Sequence, residues 1–208
     1  LDAIADKPMR HLAMLPSGFA SSRQGREMAL FAVQRTARID PLQAAQQWDG
    51  IKDKFSAADR GYIYGQLGWQ GALKHLPEAL EWYAKAGAAP LSEEQLAWKA
   101  RVGLRALNWP LVHEAIELMP KALQAQPDWI YWLGRAHEAL GRQEEARTLY
   151  RRIAGQPNFY GNLADDELGR PIMPPPLPQK PSGEEVKAVA ALPGIRRALA
   201  LFRIDMRL

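Results

Sequence analysis

Four times along this chain an alanine is followed four residues later by a bulky apolar side chain. The pairs are Ala44 and Trp48 in AAQQW, Ala79 and Tyr83 in ALEWY, Ala115 and Met119 in AIELM, and Ala146 and Tyr150 in ARTLY. Successive alanines stand 35, 36 and 31 residues apart. A period in this range marks a helix-hairpin solenoid, because two short helices cannot bury their apolar faces alone and must stack on neighbouring pairs. Up to residue 169 nearly every segment carries helical periodicity and strong helix formers, and no strand-like alternation survives six residues. The chain is therefore expected to be all-α.

The last unit, WIYWLGRAHEALGRQEEARTLYRRIAGQP, shows the pattern best. Leu133 and Gly134 are expected to open its first helix, Gly141 to form the turn, Ala146 and Tyr150 to lie in the second helix, and Pro157 to end the unit. This stretch resembles the tetratricopeptide pattern, with the terminal proline one position early. Small Gly134 and Ala146 would let the paired helices approach, and Tyr150 would fill the gap to the next hairpin. Gly141 would close the first helix in the left-handed conformation. The second unit repeats the spacing: Ala79 to Pro90 is eleven residues, as is Ala146 to Pro157. The third uses Asn108-Trp109-Pro110 as its turn, with Ser92 and Gln95 set as a capping box ahead of it. Stacked in this way, the hairpins are expected to form a right-handed α-superhelix with a long concave face.

After Gly169 the character changes. Residues 170–183 hold six prolines in fourteen positions, which forbids a helix interior and favours an extended linker. Ser182 and Glu185 then cap a new helical run, expected to break at Pro193-Gly194. The expected domains are thus 1–169 superhelical, 170–183 linker, and 184–208 the start of a second helical domain. Leu199, Leu201, Phe202, Ile204 and Leu208 would need a partner, so a continuation is expected beyond Leu208. A chain that begins at Leu1 is likewise read as processed or truncated.

Composition narrows the chemistry. There is no cysteine, so zinc-thiolate sites, cysteine nucleophiles and disulfides are excluded. No apolar run approaches the roughly 20 residues needed to span a bilayer, so no transmembrane segment is expected. The net charge of +4 suits an anionic partner, but 27 basic residues are interleaved with 23 acids and no recognition motif accompanies them. Nucleic acid is not expected as a partner. His11, His75, His113 and His137 are far apart in sequence and lack metal-ligand spacing, so no metal or other cofactor is expected.

The acid pairs, Asp165-Asp166 among them, diverge by about 100° on a helix and do not face each other as glycosidase carboxylates would. They read as solvated surface. No GxSxG, P-loop or GxGxxG stretch occurs, and the nearest, Gly61 to Gly71, carries aromatics where a phosphate loop needs small residues. Trp129, Tyr131 and Tyr160 are the candidates for a sugar-stacking groove, although aromatics at helical spacing are more often core.

One stretch is more specific. FYGNLADDELG, residues 159–169, resembles the FYGxLAxxELG signature of the soluble lytic murein transglycosylases: Phe159-Tyr160-Gly161, Leu163-Ala164 and Glu167-Leu168-Gly169 all match. The DWxYWxGRAxExxGRxEEA run from Asp128 to Ala146 and the helical run after the prolines are similar to that family too. The resemblance covers roughly residues 25–208. It implies a periplasmic protein whose superhelix helps to surround a catalytic domain. That domain would cleave the N-acetylmuramic acid to N-acetylglucosamine bond of peptidoglycan without hydrolysis, leaving a 1,6-anhydromuramyl end. Peptidoglycan glycan strands and cell-wall proteins are the implied partners. The family's catalytic glutamate lies in a Glu-Ser element followed by Gly-Leu-Met-Gln. Neither occurs here, so no catalytic residue is carried over, and this chain is expected to bind glycan without cutting it. The competing reading is a tetratricopeptide-type adaptor that binds a protein segment.

Overall fold

The computed structural model describes residues 2–172 and 177–206, and side chains from Ile4 onward within them. These residues are all-α with no strand among them, and those up to Ile172 form a solenoid. Its helices are α1 (Asp2–Asp6), α2 (Pro8–Ala13), α3 (Arg23–Ile39), α4 (Pro41–Asp49), α5 (Ala57–Leu73), α6 (Ala79–Ala86) and α7 (Glu93–Arg105). There follow α8 (Trp109–Glu117), α9 (Lys121–Gln124), α10 (Pro127–Ala139), α11 (Gln143–Ile153), α12 (Phe159–Glu167), α13 (Gly183–Ala191) and α14 (Pro193–Arg203). The chain divides into two compact units, one reaching Ile172 and one following it.

In the first unit α3/α4, α5/α6, α7/α8 and α10/α11 are hairpins, and α12 packs on the last of them. Four local clusters form the core, each bridging adjacent elements rather than converging on one centre. The repeat residues sit where the period puts them. Ala44, Ala79, Ala115 and Ala146 are buried in the second helices, and Trp48, Tyr83, Met119 and Tyr150 are buried one turn later. Burying each such large side chain contributes about 1.5–3 kcal/mol. The phenols of Tyr83 and Tyr150 are not left unpaired: they donate to the Gln95 carbonyl at 3.0 Å and to Glu138 Oε2 at 3.2 Å.

The first helices of the last three hairpins carry a matching device. A Cβ on Gly68 would lie 2.9 Å from the Tyr83 ring, on Gly103 2.9 Å from Val112 Cγ2, and on Gly134 2.5 Å from Tyr150 Cε1. Only hydrogen at these three positions lets the second helix come that close. Gly134 therefore acts from the middle of α10, which starts at Pro127, and not from its opening turn as the sequence suggests. The Gly61–Gly71 stretch is likewise no loop. It lies inside α5, where Gly61, Gly65, Gly68 and Gly71 are buried, and a Cβ on Gly71 would stand 2.7 Å from Trp82.

Three of the four first helices, all but α3, also end alike. At α5, α7 and α10 the residue after the C-cap is left-handed, namely His75 (φ 61°), Leu107 (φ 52°) and Gly141 (φ 79°). In each case two amides reach back to the last turn: His75 to Ala72 and Leu76 to Gly71, Leu107 to Leu104 and Asn108 to Gly103, Gly141 to Glu138 and Arg142 to His137. This is the Schellman closure, which satisfies the orphan carbonyls of a helix end. Helix starts are marked as plainly. Ser56 with Asp59 and Ser92 with Gln95 form capping boxes, and Asp40, Asn108 and Asn158 accept from the amide three residues on.

The second unit holds α13 and α14. Ser182 and Glu185 form the capping box of α13, and Pro193 starts α14 at a position that has no intrahelical amide to lose. Of the proline-rich segment, residues 173–176 lie outside the described residues, as does Leu208. Leu199, Leu201, Phe202 and Ile204 are exposed. No helix among the described residues is long and apolar enough to cross a membrane.

Candidate functional site

The motif residues from 159 to 169 assemble where α10, α11 and α12 meet. Asn158 caps α12 by accepting from the Gly161 amide at 2.9 Å. That cap brings the backbone of Gln156 against the helix start: a Cβ on Gly161 would lie 2.3 Å from the Gln156 carbonyl oxygen. Glycine is thus required at 161 for space. Ala164 is wholly buried, and Leu163 and Leu168 pack beside it against Ile130, Tyr131, Tyr150 and Ile153. Gly169 (φ 67°) closes α12 by the same Schellman turn as the hairpins.

Glu167 ends in a charged network. Its Oε1 accepts from the Tyr131 hydroxyl at 3.0 Å and from Arg135 Nη1 at 3.1 Å, and the same Nη1 donates to the Tyr131 oxygen at 3.1 Å. Arg135 Nε lies 3.5 Å from Glu138 Oε2, which also accepts from Tyr150. Burial raises the pKa of Tyr131 and of Tyr150, and the Tyr131 hydroxyl, followed by Glu167, raises that of Arg135. Both phenols stay protonated and act as donors. The network fastens α12 to α10 and contains no activated nucleophile.

The acids of this stretch are not all solvated, and this corrects the sequence reading. Asp165 is 4% exposed; its Oδ2 accepts from the Gly155 amide at 2.8 Å and its Oδ1 lies 3.2 Å from Arg170 Nε. Spacing on a single helix did not reveal this, because the donors come from the turns on either side of α12. Asp166 is exposed, as expected.

The three aromatic candidates separate. Trp129 and Tyr131 are each 3% exposed and are part of the core, so neither face is open to a sugar ring. Tyr160 is half-buried, with its ring 5.8 Å from Tyr131. Edge-on to it at 5.2 Å lies Phe159, 68% exposed. Every other matching residue of the motif has a packing, capping or hydrogen-bonding role. Phe159 alone among them turns a side chain to solvent.

Elsewhere the solenoid brings together residues that are far apart in the chain. His113 of α8 and His137 of α10 are edge-to-face at 4.9 Å, and Arg142 Nη1 lies 3.3 Å from His113 Nε2. Burial, then the charges of His113 and Arg142, hold His137 below the usual histidine range. No group of three or more His, Cys, Asp or Glu among the described residues is arranged to hold a metal ion. A cleft of about 680 Å³ runs beside the 87–90 loop, lined by Lys52, Arg60, Tyr64, Lys85 and Pro90 among others. Its cations are partnered: Lys52 with Asp49, Lys85 with Glu81, and Arg60 with the Phe55 carbonyl.

No protein-family model matches the chain, and no curated protein matches it either. Among solved structures it is similar to an inactive mutant of the lytic transglycosylase Slt from Pseudomonas aeruginosa, with a TM-score of 0.72 and 25% sequence identity. The match covers 97% of this chain and 33% of that one, so the chain spans about a third of that protein's length.

Proposed function

At the level of family this chain stands with the lytic transglycosylases, and from that premise we propose that it is the superhelical part of a periplasmic peptidoglycan lytic transglycosylase, binding and positioning glycan strands. The parent protein would cleave the N-acetylmuramic acid to N-acetylglucosamine bond and leave 1,6-anhydromuramyl ends. This portion would bind without cleaving, since it holds neither a Glu-Ser dipeptide nor an activated nucleophile among its described residues. The observation that carries the reading is the likeness to Slt over nearly the whole chain. It is supported by FYGNLADDELG, in which all matching residues but one have a role in building the fold. Phe159, with Tyr160 behind it, is the proposed glycan-stacking pair.

Incubating the purified chain with peptidoglycan sacculi, pelleting them, and analysing released muropeptides by mass spectrometry tests this. The chain is expected to pellet and to release no anhydro products. Phe159→Ala should weaken pelleting without lowering the melting temperature. Failure of the wild-type chain to pellet would overturn the reading and favour the protein-binding adaptor; anhydro products would overturn the claim that this portion does not cleave.

A further inference from the structure

One surface cation is built differently from the rest. Arg101, exposed on α7, lies with its guanidinium carbon 5.2 Å from the Trp98 ring and 5.1 Å from the Trp129 ring, one indole from its own helix and one from α10. Cation–π stacking on two rings restrains the guanidinium. Among the described residues it has neither a hydrogen bond nor an acidic partner, so its five N–H donors stay uncommitted. One turn further along the same helix, Arg105 is also exposed and lacks an acid. Its Nη2 is 2.6 Å from Nδ1 of His75, which must therefore accept. His75 is brought there by its own left-handed backbone (φ 61°), and its ring lies 6.5 Å from Trp98.

Two guanidiniums one helical turn apart sit as neighbours on one face. Each is oriented by aromatic or imidazole contacts in place of a carboxylate. Immobilising an arginine side chain ordinarily costs rotamer freedom. Here the indoles and His75 have already ordered both, and preorganisation of this kind raises affinity for whatever the donors meet. The partnered cations of the cleft beside the 87–90 loop offer no such opening.

We propose that Trp98, Arg101, Trp129, Arg105 and His75 form a carboxylate-binding site on α7 for acidic groups of peptidoglycan; the proposal rests on the glycan-binding reading above. A planar carboxylate matches the fork of Arg101 bidentately, and Arg105 supplies a second donor set one turn away. Peptidoglycan offers that chemistry from two sources. Stem peptides carry free carboxylates, and a strand stripped of its peptides exposes the lactyl carboxylate of the sugar.

The test titrates the full 208-residue chain with three probes: a soluble disaccharide-tetrapeptide, the same molecule with its carboxyls amidated, and peptide-free glycan strands. The Arg101 Nε–H and the Trp98 and Trp129 indole N–H signals are followed by NMR, and sacculus pelleting is measured alongside. The carboxylate-bearing peptide probe is expected to shift those signals and the amidated one to leave them. Arg101→Gln should weaken binding about tenfold, the scale of one charge-assisted pair. Arg105→Gln, which leaves the indole stack intact, should weaken it by a smaller factor and guards against a folding defect at position 101. Matching sensitivity to Arg101→Gln with peptide-free strands would assign the lactyl carboxylate; sensitivity confined to the peptide probe would assign the stem. Unchanged binding by folded Arg101→Gln and Arg105→Gln proteins, or equal binding of the amidated probe, would overturn this site while leaving glycan binding standing. Failure of the wild-type protein to pellet with sacculi would sink both. Binding of single-stranded DNA in place of the muropeptide, lost on Arg101→Gln, would overturn the carboxylate assignment in favour of phosphate.

Discussion

Tyr150 lies flat against Gly134, so close that a Cβ on the glycine would stand 2.5 Å from the ring's Cε1 and 3.1 Å from Cζ. Tyr150 is 2% exposed and its hydroxyl is held by Glu138, so the ring cannot swing aside. Gly134→Ala should therefore destabilise the chain by about 1–3 kcal/mol through overpacking, despite the roughly 1 kcal/mol by which alanine favours a helix. Chemical denaturation of the two single variants and of Gly134→Ala with Tyr150→Leu checks this. The double variant should lose less than the sum of the singles, because the shorter side chain makes room for the new methyl.

Leu107 occupies a left-handed position and is 70% exposed, so its side chain returns little burial for the conformational strain. Leu107→Gly is expected to stabilise by about 0.5–1 kcal/mol: relief of roughly 1–2 kcal/mol of strain, less glycine's greater loss of freedom on folding. The reverse change at the equivalent place, Gly141→Ala, should cost about 1 kcal/mol. A pair of thermal melts decides both.

Removing the Asp165 carboxylate should cost about 1–3 kcal/mol, the usual penalty for leaving a buried donor unpaired, here the Gly155 amide. Asp166→Ala, on the exposed neighbour, should change stability by less than about 0.5 kcal/mol. Equal effects of the two substitutions would show that Asp165 is not the clamp described.

His137 makes stability depend on pH. Its folded-state pKa is lowered, by burial first and then by His113 and Arg142, so the unfolded chain binds the proton more tightly. Unfolding is thus favoured as protons become available. The stabilisation is complete above the unfolded value near 6.5 and is lost as the pH falls through that value to the folded one. Glu145 and Glu117 oppose the shift without reversing it. The melting temperature should drop between pH 7.5 and 5.5, and His137→Phe should narrow the drop. An unchanged pH response in that variant would assign the dependence to other groups.

Much of this was legible in the residues. Ser92 with Gln95 and Ser182 with Glu185 cap the helices their spacing foretold, Gly141 takes the left-handed turn, and the four alanines and their bulky partners are buried. These features depend on local backbone geometry or on a period that each hairpin repeats, so a linear reading recovers them. Phe159 and Tyr160 were visible as a pair in a motif, but not the difference between them. The same holds for Trp129 and Tyr131, which helical spacing alone could assign to either core or groove.

The sequence by itself determined an all-α solenoid of helix hairpins and the places where its helices begin and end, because capping, turn chemistry and hydrophobic period act within a few residues. The tertiary structure alone decided which polar groups meet. Asp165 reaches Gly155 and Arg170, Tyr131 reaches Glu167, His113 meets His137, and Trp129 comes to rest on Arg101. Each partner lies on another helix or beyond a turn, and how closely the two helices of a hairpin pack is set at glycines such as Gly68 and Gly134, through contacts that no local rule encodes.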